Sequence, residues 1–198
     1  MKTVGVLSLQ GDVSEHVSSL EKAAENLKLR FAVKQVRYSS EIEKIDAFVL
    51  PGGESTTIGK LLRKNEVFDI LKEKISKGMP VFATCAGMIL MAMEGDDEVE
   101  KTKQPLLKLM EYSVDRNAFG RQRESFEADL KIPVLGKEKF HAVFIRAPAV
   151  SKTWGKAKIL CEFDGKIVLV QQDNMLSAAF HPELTEDTRL HEYFLKMV

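Results

Sequence analysis

The sequence predicts an α/β fold with a mostly parallel central sheet, helices on both faces and an antiparallel, hairpin-rich second half. The first observation is a series of near-continuous apolar runs of strand length, typical of parallel strands buried on both faces. The second is that stretches with helical spacing separate these runs in the first half of the chain. The third is that later strand-like runs are separated by glycine and proline, which favours hairpins.

The first half alternates strands and helices. We predict strands at 3–9, 31–36, 47–50 and 80–84. A helix is predicted over 13–27, because Val17, Leu20 and Ala24 recur at helical spacing. Two further helical pieces are predicted over 57–77, before the fourth strand.

The second half contains short strand-like runs and one closing helix. We predict strands at 102–114, 125–132, 139–146, 158–163, 166–171 and 175–180. Asp164-Gly165 is a strong two-residue hairpin signal, and a helix is predicted over 185–197. The acidic run 94–100 is expected to be a solvated loop. The sequence shows no repeat or linker, so we expect one domain over 1–198.

Composition excludes several functional classes. The 29 basic residues balance 29 acidic ones, so no nucleic-acid or membrane-surface partner is indicated. No apolar run reaches membrane-spanning length, and the one at 4–9 is too short for a signal peptide. Cys85 and Cys161 lie too far apart for a zinc motif or a disulfide framework. We therefore expect a reduced cytoplasmic protein without a metal.

Cys85 stands between an apolar strand-like run and the helix-like run 88–93. Such a strand–turn–helix elbow crowds its own backbone, so small residues are needed two positions either side, here Ala83 and Gly87. A cysteine in the first turn of a helix is favoured as thiolate by the helix dipole. A buried core cysteine fits the same residues, since free cysteines are often buried. The local sequence leaves both interpretations open.

His181 and Glu183 follow the apolar run 178–180. In an extended segment residues i and i+2 share a face, so the carboxylate can orient the imidazole, as in a cysteine triad. The alternative is a surface histidine at the end of a strand. Metal binding is less favoured, because neither His141 nor His191 gives a ligand spacing with His181.

Gly52 and Gly53 follow the third predicted strand and precede Glu54-Ser55. Consecutive glycines let backbone N–H groups turn toward a ligand, and acyl transfer through cysteine needs such donors for its oxyanion. The Gly53 and Ala86 amides are the candidates. An ordinary turn with Ser55 or the next residue as helix cap is the alternative.

Together these motifs resemble class I glutamine amidotransferases of the triad type. Pro-Gly-Gly-Glu-Ser at 51–55, Thr-Cys-Ala-Gly at 84–87 and His-Pro-Glu at 181–183 occur in that order. Further runs narrow the resemblance to the glutaminase subunits of pyridoxal 5'-phosphate synthase. They are Gly-Val-Leu-Ser-Leu-Gln-Gly at 5–11, Glu-His at 15–16, Arg-Asn-Ala-Phe-Gly-Arg-Gln at 116–122, Ser-Phe-Glu at 125–127, Phe-Ile-Arg-Ala-Pro at 144–148 and Phe-His-Pro-Glu-Leu-Thr at 180–185.

The resemblance implies a flavodoxin-like three-layer sandwich that hydrolyses L-glutamine to L-glutamate and ammonia without a cofactor. Cys85 would attack the carboxamide, His181 would shuttle protons and Glu183 would orient it. The amides of Gly53 and Ala86 would hold the oxyanion, and water would resolve the γ-glutamyl thioester.

The resemblance also implies binding residues and a partner. L-Glutamine would be held by Gly53, Glu54, Ser55, Arg116, Ile145 and Arg146. Arginines suit its α-carboxylate because guanidinium binds carboxylates in planar, bidentate fashion. Arg121 is a further candidate, more simply a surface arginine. The partner would be a TIM-barrel pyridoxal 5'-phosphate synthase subunit that takes the ammonia, with Gln10 ordering the oxyanion hole against it. His16 is expected to be an interface or structural residue.

Two departures from the family pattern are Ala83, where glycine is common, and the long acidic stretch 94–103. We expect at most a small shift of the elbow and a surface loop that leaves the chemistry in place. Three alternatives stay open. They are an amidotransferase subunit for another acceptor, a related flavodoxin-like cysteine hydrolase, and a catalytically silent regulatory subunit of a synthase.

Overall fold

The computed structural model describes residues 1–120 and 125–198. The strands are β1 (Lys2–Leu7), β2 (Phe31–Val36), β3 (Ala47–Leu50), β4 (Val81–Thr84), β5 (Ala92–Gly95), β6 (Met110–Asp115), β7 (Ser125–Leu130), β8 (Phe140–Ile145), β9 (Ala149–Thr153), β10 (Lys158–Phe163), β11 (Lys166–Gln172) and β12 (Met175–Ala178). The α-helices are α1 (Val13–Asn26), α2 (Ser39–Ile42), α3 (Ser55–Lys64), α4 (Phe68–Ser76), α5 (Ala86–Met91), α6 (Asp97–Lys101) and α7 (Arg189–Leu195).

The main sheet has the strand order β2-β1-β3-β4-β12-β11-β9-β6-β5, and β10 pairs with β11. Pairing is parallel from β2 through β12, whereas β11 is antiparallel to each of its neighbours β9, β10 and β12. Strands β7 and β8 form a separate antiparallel ribbon. The predicted combination of a parallel first half and a hairpin-rich second half is confirmed.

Helices cover both faces of the parallel strands. Helix α1 packs with α7, whereas α3 packs with α4 and α5. Both groups contribute fully buried side chains to the core, such as Leu20 from α1 and Leu62 from α3. The three-layer α/β arrangement is therefore the predicted one. Among the described residues, no helix has the length and apolar character needed to cross a membrane.

Strand β4 brings the candidate residues together at one edge of the sheet. It pairs in parallel with β3 on one side and with β12 on the other, so the carboxyl ends of all three strands lie at the same edge. Gly52, Cys85 and His181 follow these strands in turn. The His181 N–H also donates to the Val143 carbonyl of β8 at 2.8 Å, which ties the β7–β8 ribbon to this edge.

The chain departs from prediction after α5. The helix ends at Met91 rather than residue 93, and β5 pairs there with β6. The buried Tyr112 hydroxyl of β6 donates to the Met88 carbonyl at 2.7 Å and lies 2.9 Å from Ser177 Oγ, so a distant strand supports the end of this short helix. The helical pattern of 88–93 does not predict that contact, because Tyr112 lies 24 positions after Met88.

The acidic run is not simply a loop, because it contains α6. Asp96 caps this helix by accepting hydrogen bonds from the Glu98 and Val99 amides at 3.0 and 2.9 Å. Of the strand predicted over 102–114, only Met110–Asp115 is strand. Strand β9 and the short helix α2 were not predicted, and the closing helix starts later than expected, at Arg189.

The hairpin predicted at Asp164-Gly165 joins β10 to β11. Both residues have positive φ, 51° and 69°, as a two-residue type I′ turn requires. The remaining strands of the two halves lie within a few residues of their predicted positions.

Candidate active site

Cys85 forms the turn between β4 and α5. Its backbone has φ 48° and ψ −103°, a conformation that non-glycine residues rarely adopt and that is found at functional sites. The Cys85 N–H donates to the Ala178 carbonyl of β12 at 2.8 Å, which holds the turn to the sheet. The Cys85 side chain is 7% exposed and lines a cleft, so it is a buried thiol with access to that cleft.

The elbow depends on Gly87, as the sequence indicated. A Cβ atom on Gly87 would lie 2.4 Å from the Leu50 carbonyl oxygen and 3.1 Å from Ala83 Cβ. The methyl of Ala83 is accommodated because Gly87 opposite it has none. Strand β4 keeps its register with β12 through Ala83 and Thr84.

His181 and Glu183 form a close buried pair. His181 Nδ1 lies 2.7 Å from Glu183 Oε1, and the two residues are 4% and 5% exposed. Gly52 makes room for the imidazole, because a Cβ there would lie 2.4 Å from His181 Cε1. A carboxylate on Nδ1 fixes the tautomer that leaves Nε2 free for a nucleophile.

The electrostatics of this pair favour a charged imidazole. Burial lowers the pKa of His181, but the neighbouring Cys85 and Glu183 outweigh it, so its pKa is raised above the usual value. Burial raises the pKa of Glu183, and His181 opposes that shift. The carboxylate of Glu183 and the protonated imidazole of His181 would therefore form an ion pair.

The candidate residues converge on one cleft of about 430 Å³. Its lining includes Gln10, Gly53, Glu54, Ser55, Cys85, Ala86, Arg116, Ile145, Arg146 and His181. Glu183 lies behind His181, away from the lining. A larger cleft of about 740 Å³, between α3 and the segment after α6, has neither cysteine nor histidine among the residues that line it.

The glycine turn is held by Gln10 and by Glu54. Gln10 Oε1 accepts from the Glu54 N–H at 2.9 Å and packs against Gly53, whose φ is 133°. The prediction that Ser55 or Thr56 caps the helix is wrong: the Glu54 carboxylate caps α3 by accepting from the Thr56 and Thr57 amides at 2.9 and 2.6 Å. The Ser55 hydroxyl instead donates to buried Gln104 at 3.0 Å.

Two guanidinium groups border the cleft. Arg116 Nη2 lies 3.6 Å from Glu54 Oε1, and its side chain is 17% exposed. Arg146 is exposed and has φ 42°, so the chain turns sharply where β8 ends. Together they give this side of the cleft the charge that a carboxylate needs. Arg121 lies outside the described residues.

Two further histidines lie buried behind Glu183. His16 Nε2 is 3.3 Å from Glu183 Oε2 and 3.2 Å from Thr84 Oγ1, whereas its Nδ1 is 3.2 Å from His191 Nε2. We place the proton on His16 Nε2, since a lone pair there would face the carboxylate. His191 Nε2–H then donates to His16 Nδ1. His16 is fully buried against Glu183, which agrees with the structural alternative of the expectation.

Both histidines are held neutral. Burial, then His191 and His181, hold the pKa of His16 well below its usual value, and burial lowers the pKa of His191 to about 3. A lowered folded-state pKa contributes stability above the unfolded value of about 6.5, and this is lost as pH falls. Mild acid should therefore remove the contribution that these two histidines make to stability.

Replacing His191 by glutamine, which can still donate to His16, should reduce this acid sensitivity. In the wild type, the neutral burial of His191 should cost about 2 kcal/mol of unfolding free energy between about pH 8 and about pH 5. His191→Gln should lose about 2 kcal/mol less over the same interval. Urea unfolding at both pH values measures this.

His141→Gln is the control for that comparison. His141 is exposed between Asp129 and Glu127, and its pKa is raised by both, so its contribution has the opposite sign. Removing it should not flatten the pH dependence. Equal pH dependence in the wild type and His191→Gln would contradict the assignment of a buried neutral His191.

Among the described residues, the one candidate group for a cation includes His181 and Glu183. Ligand atoms of Asp12, His181 and Glu183 lie within 4.8 Å of one another. His181 Nδ1 and Glu183 Oε1 already share a short hydrogen bond, and a metal would take the Nδ1 lone pair. The donor set therefore suits proton transfer better than metal binding.

The comparison with known families agrees with this geometry. The SNO glutamine amidotransferase family matches residues 6–198. This chain belongs to the SNO glutamine amidotransferase family.

Relatives of this SNO-family chain are similar over almost their whole length. It is 46% identical to pyridoxal 5'-phosphate synthase subunit PdxT of Saccharolobus solfataricus over 98% of both chains. It is 48% identical to the PdxT subunit of Methanococcoides burtonii, covering 97% of this chain and 96% of that one. A crystal structure of a glutamine amidotransferase, 44% identical, superposes with a TM-score of 0.86 over 98% of this chain and 97% of the other.

The SNO-family cleft also contains residues that sequence reasoning missed. Asp12 lines it, and its Oδ2 lies 3.6 Å from His181 Nδ1. The sequence could have indicated Asp12 as a site residue, because it is polar and follows the first strand at the edge where the parallel strands end. Asn117 lines the cleft beside Arg116. The contact between His16 and Glu183 had a weaker signal in the sequence. His16 lies four residues before Leu20, on the apolar face of α1, which indicates a buried histidine.

Proposed function

We propose that this chain acts as one glutaminase domain that hydrolyses L-glutamine to L-glutamate and ammonia, and that the ammonia supplies pyridoxal 5'-phosphate synthesis. The observation that carries the proposal is Cys85 at a strained elbow beside the buried His181–Glu183 pair. The acceptor follows from the PdxT relatives, which are subunits of pyridoxal 5'-phosphate synthase.

In the first half of the reaction, the thiol proton of Cys85 passes to His181 Nε2, as the raised pKa of His181 favours, and the sulfur attacks the side-chain carbonyl carbon of glutamine. The resulting oxyanion accepts hydrogen bonds from the Gly53 and Ala86 amides; Ala86 begins α5, where helix amides have no partner within the helix. His181 then protonates the leaving amine. Ammonia departs, and the γ-glutamyl thioester remains on Cys85.

In the second half, His181 takes a proton from water, whose oxygen attacks the thioester carbon. Collapse of the second tetrahedral intermediate breaks the carbon–sulfur bond, returns the proton to the sulfur and releases glutamate. Glu183 stabilises the imidazolium each time it forms and does not itself transfer a proton. Its 2.7 Å contact with Nδ1 supports this role.

Substrate recognition uses the charged rim of the cleft. The α-carboxylate of glutamine pairs with Arg116 and Arg146, because guanidinium binds carboxylates bidentately. Glu54, beside Arg116, presents the opposite charge for the α-ammonium. Gly53, Ser55 and Ile145, which also line the cleft, complete the wall around the side chain of the substrate.

The product explains the need for a partner. Ammonia released into water is protonated and loses its nucleophilicity, so its transfer should be sheltered. The family resemblance implies a TIM-barrel synthase subunit as the acceptor, docking beside Gln10, whose amide oxygen holds the Glu54 N–H. Both cysteines are free thiols, which suits the cytoplasm as the place of reaction.

The test is release of ammonia and glutamate from L-glutamine, with and without the synthase subunit of the same organism. We expect activity that the partner increases, and none with D-glutamine. Label from amide-¹⁵N glutamine should enter pyridoxal 5'-phosphate in the presence of unlabelled ammonium. If glutamine were hydrolysed neither with nor without the synthase subunit, the result would contradict the proposal and favour a catalytically silent regulatory subunit. Hydrolysis without transfer of label would instead indicate another acceptor.

A further inference from the structure

The acidic segment before α6 is bonded to the turn that carries Arg116. Asp96 uses one carboxylate oxygen, Oδ1, to cap α6. Its other oxygen, Oδ2, accepts a hydrogen bond from the Arg116 N–H at 2.8 Å. One partly buried carboxylate therefore joins the start of a helix to the backbone of a cleft residue 20 positions away.

A second contact fixes the same turn. Asn117 Nδ2 donates to Glu98 Oε2 at 2.6 Å, and Asn117 N–H donates to Asp115 Oδ1 at 2.9 Å. Arg116 and Asn117 both line the cleft. Helix α6 and its cap thus hold two consecutive residues of the cleft wall, so this acidic stretch is more than the surface loop that was expected.

The backbone contact matters because it sets where the Arg116 side chain starts. A long arginine side chain is flexible, and its guanidinium reaches a defined place only when its Cα–Cβ direction is fixed. Here the Arg116 side chain is 17% exposed, and its Nη2 lies 3.6 Å from Glu54 Oε1. Hydrogen bonds to a charged acceptor are among the stronger ones, so Asp96 is well suited to hold this position.

We propose that Asp96 is a positioning residue for substrate affinity, which fixes the backbone of Arg116 so that its guanidinium meets the α-carboxylate of glutamine. This rests on the proposed function. Asp96 does not line the cleft and acts only through Arg116. Its loss should weaken binding of glutamine and leave the chemical step at Cys85 unchanged.

Asp96→Asn tests this with little change in shape. Asparagine caps helices as well as aspartate, so Oδ1 can keep the cap, but an NH₂ group then faces the Arg116 N–H, donor against donor. We expect KM for glutamine to rise about fivefold with kcat nearly unchanged. Asp96→Ser, which retains a cap oxygen and lacks the second acceptor, should give the same pattern. Steady-state kinetics of the full chain with its synthase partner measures both.

Asp97→Asn is the matched control. Asp97 is the exposed neighbour of Asp96 in the same acidic run, and the substitution removes the same charge. It should behave as the wild type. An unchanged KM in both Asp96 variants, or an equal rise of KM in Asp97→Asn, would overturn the proposal.

Binding without turnover separates this proposal from the proposed function. Calorimetric titration of L-glutamine into Cys85→Ala and into the double variant Cys85→Ala/Asp96→Asn should show a Kd about fivefold higher in the double variant. Equal Kd values would overturn the positioning role. If wild type bound glutamine but released no ammonia, the glutaminase proposal would fail while the difference in Kd still tested Asp96.

Discussion

Replacing Cys85 by alanine should lower ammonia release from glutamine by at least about 10³-fold, because the covalent route through the thioester is lost. Binding of glutamine should persist, since the proposed charge contacts come from Arg116 and Arg146. The measurement is glutamate formation in the presence of the synthase partner. A trapped γ-glutamyl thioester, seen by mass spectrometry of acid-quenched wild type, should be absent from the variant.

Cys161→Ala is the matched control for the loss of a thiol. Cys161 lies in β10, 5% exposed, and burial raises the pKa of its thiol to about 11, so it is not a nucleophile at neutral pH. Its removal should leave turnover within about twofold of the wild type. Full activity in Cys85→Ala, or loss of activity only in Cys161→Ala, would reject Cys85 as the nucleophile.

Local sequence predicted the fold where one segment is sufficient to define an element. The strand Phe31–Val36 and the strand Ala47–Leu50 match their predicted bounds. The second is an apolar run that Pro51-Gly52-Gly53 ends, so its bound is set locally. Asp164-Gly165 defined its hairpin for the same reason, since its backbone demands are local. The elbow at Cys85 was predictable from both an apolar strand-like run and small residues that its tight turn requires.

Prediction failed where distant partners decide the structure. Helix α5 ends at Met91 because β5 pairs with β6, and Tyr112 reaches across to Met88. Helix α6 is a different case, because its cap, Asp96, lies next to it in sequence, and the run of charges around it favoured a loop.

The candidate site was predictable to a similar extent. Motif order placed the residues of the cleft, whereas the support behind them joins positions far apart in sequence. His16 and His191 are 175 positions apart, and Asp96 and Arg116 are 20 apart. Such pairs leave no local pattern, so only the fold reveals them.

Glu183→Gln should reduce kcat by about 10² to 10³-fold while KM for glutamine changes little, because Glu183 does not line the cleft. A neutral amide cannot stabilise the imidazolium of His181. The carboxylate oxygen Oε2 has no hydrogen-bond partner among the described residues but lies 3.3 Å from His16 Nε2, and the glutamine amide replaces one of the two oxygens by NH₂. If its oxygen faces His181 Nδ1, its NH₂ group faces His16 Nε2, which must then give up its proton.

That proton shift would have a structural cost. With its hydrogen on Nδ1, His16 would donate to His191 Nε2, and the hydrogen of His191 would move to Nδ1. His191 Nδ1 is buried and without a hydrogen-bond partner among residues 1–120 and 125–198, so it would become a buried unsatisfied donor. The opposite amide orientation would place NH₂ against His181 Nδ1–H. Neither orientation reproduces the carboxylate.

Asp12→Asn is the comparison that assigns the orienting role. Asp12 is the other carboxylate near His181, but it is 3.6 Å from Nδ1 and its side chain is 42% exposed, so water screens it. Its substitution should cost less than about tenfold in kcat. Steady-state kinetics of both variants decides between the two carboxylates. A larger loss in Asp12→Asn than in Glu183→Gln would transfer the orienting role to Asp12, because the shorter and drier contact would then not be the one that matters.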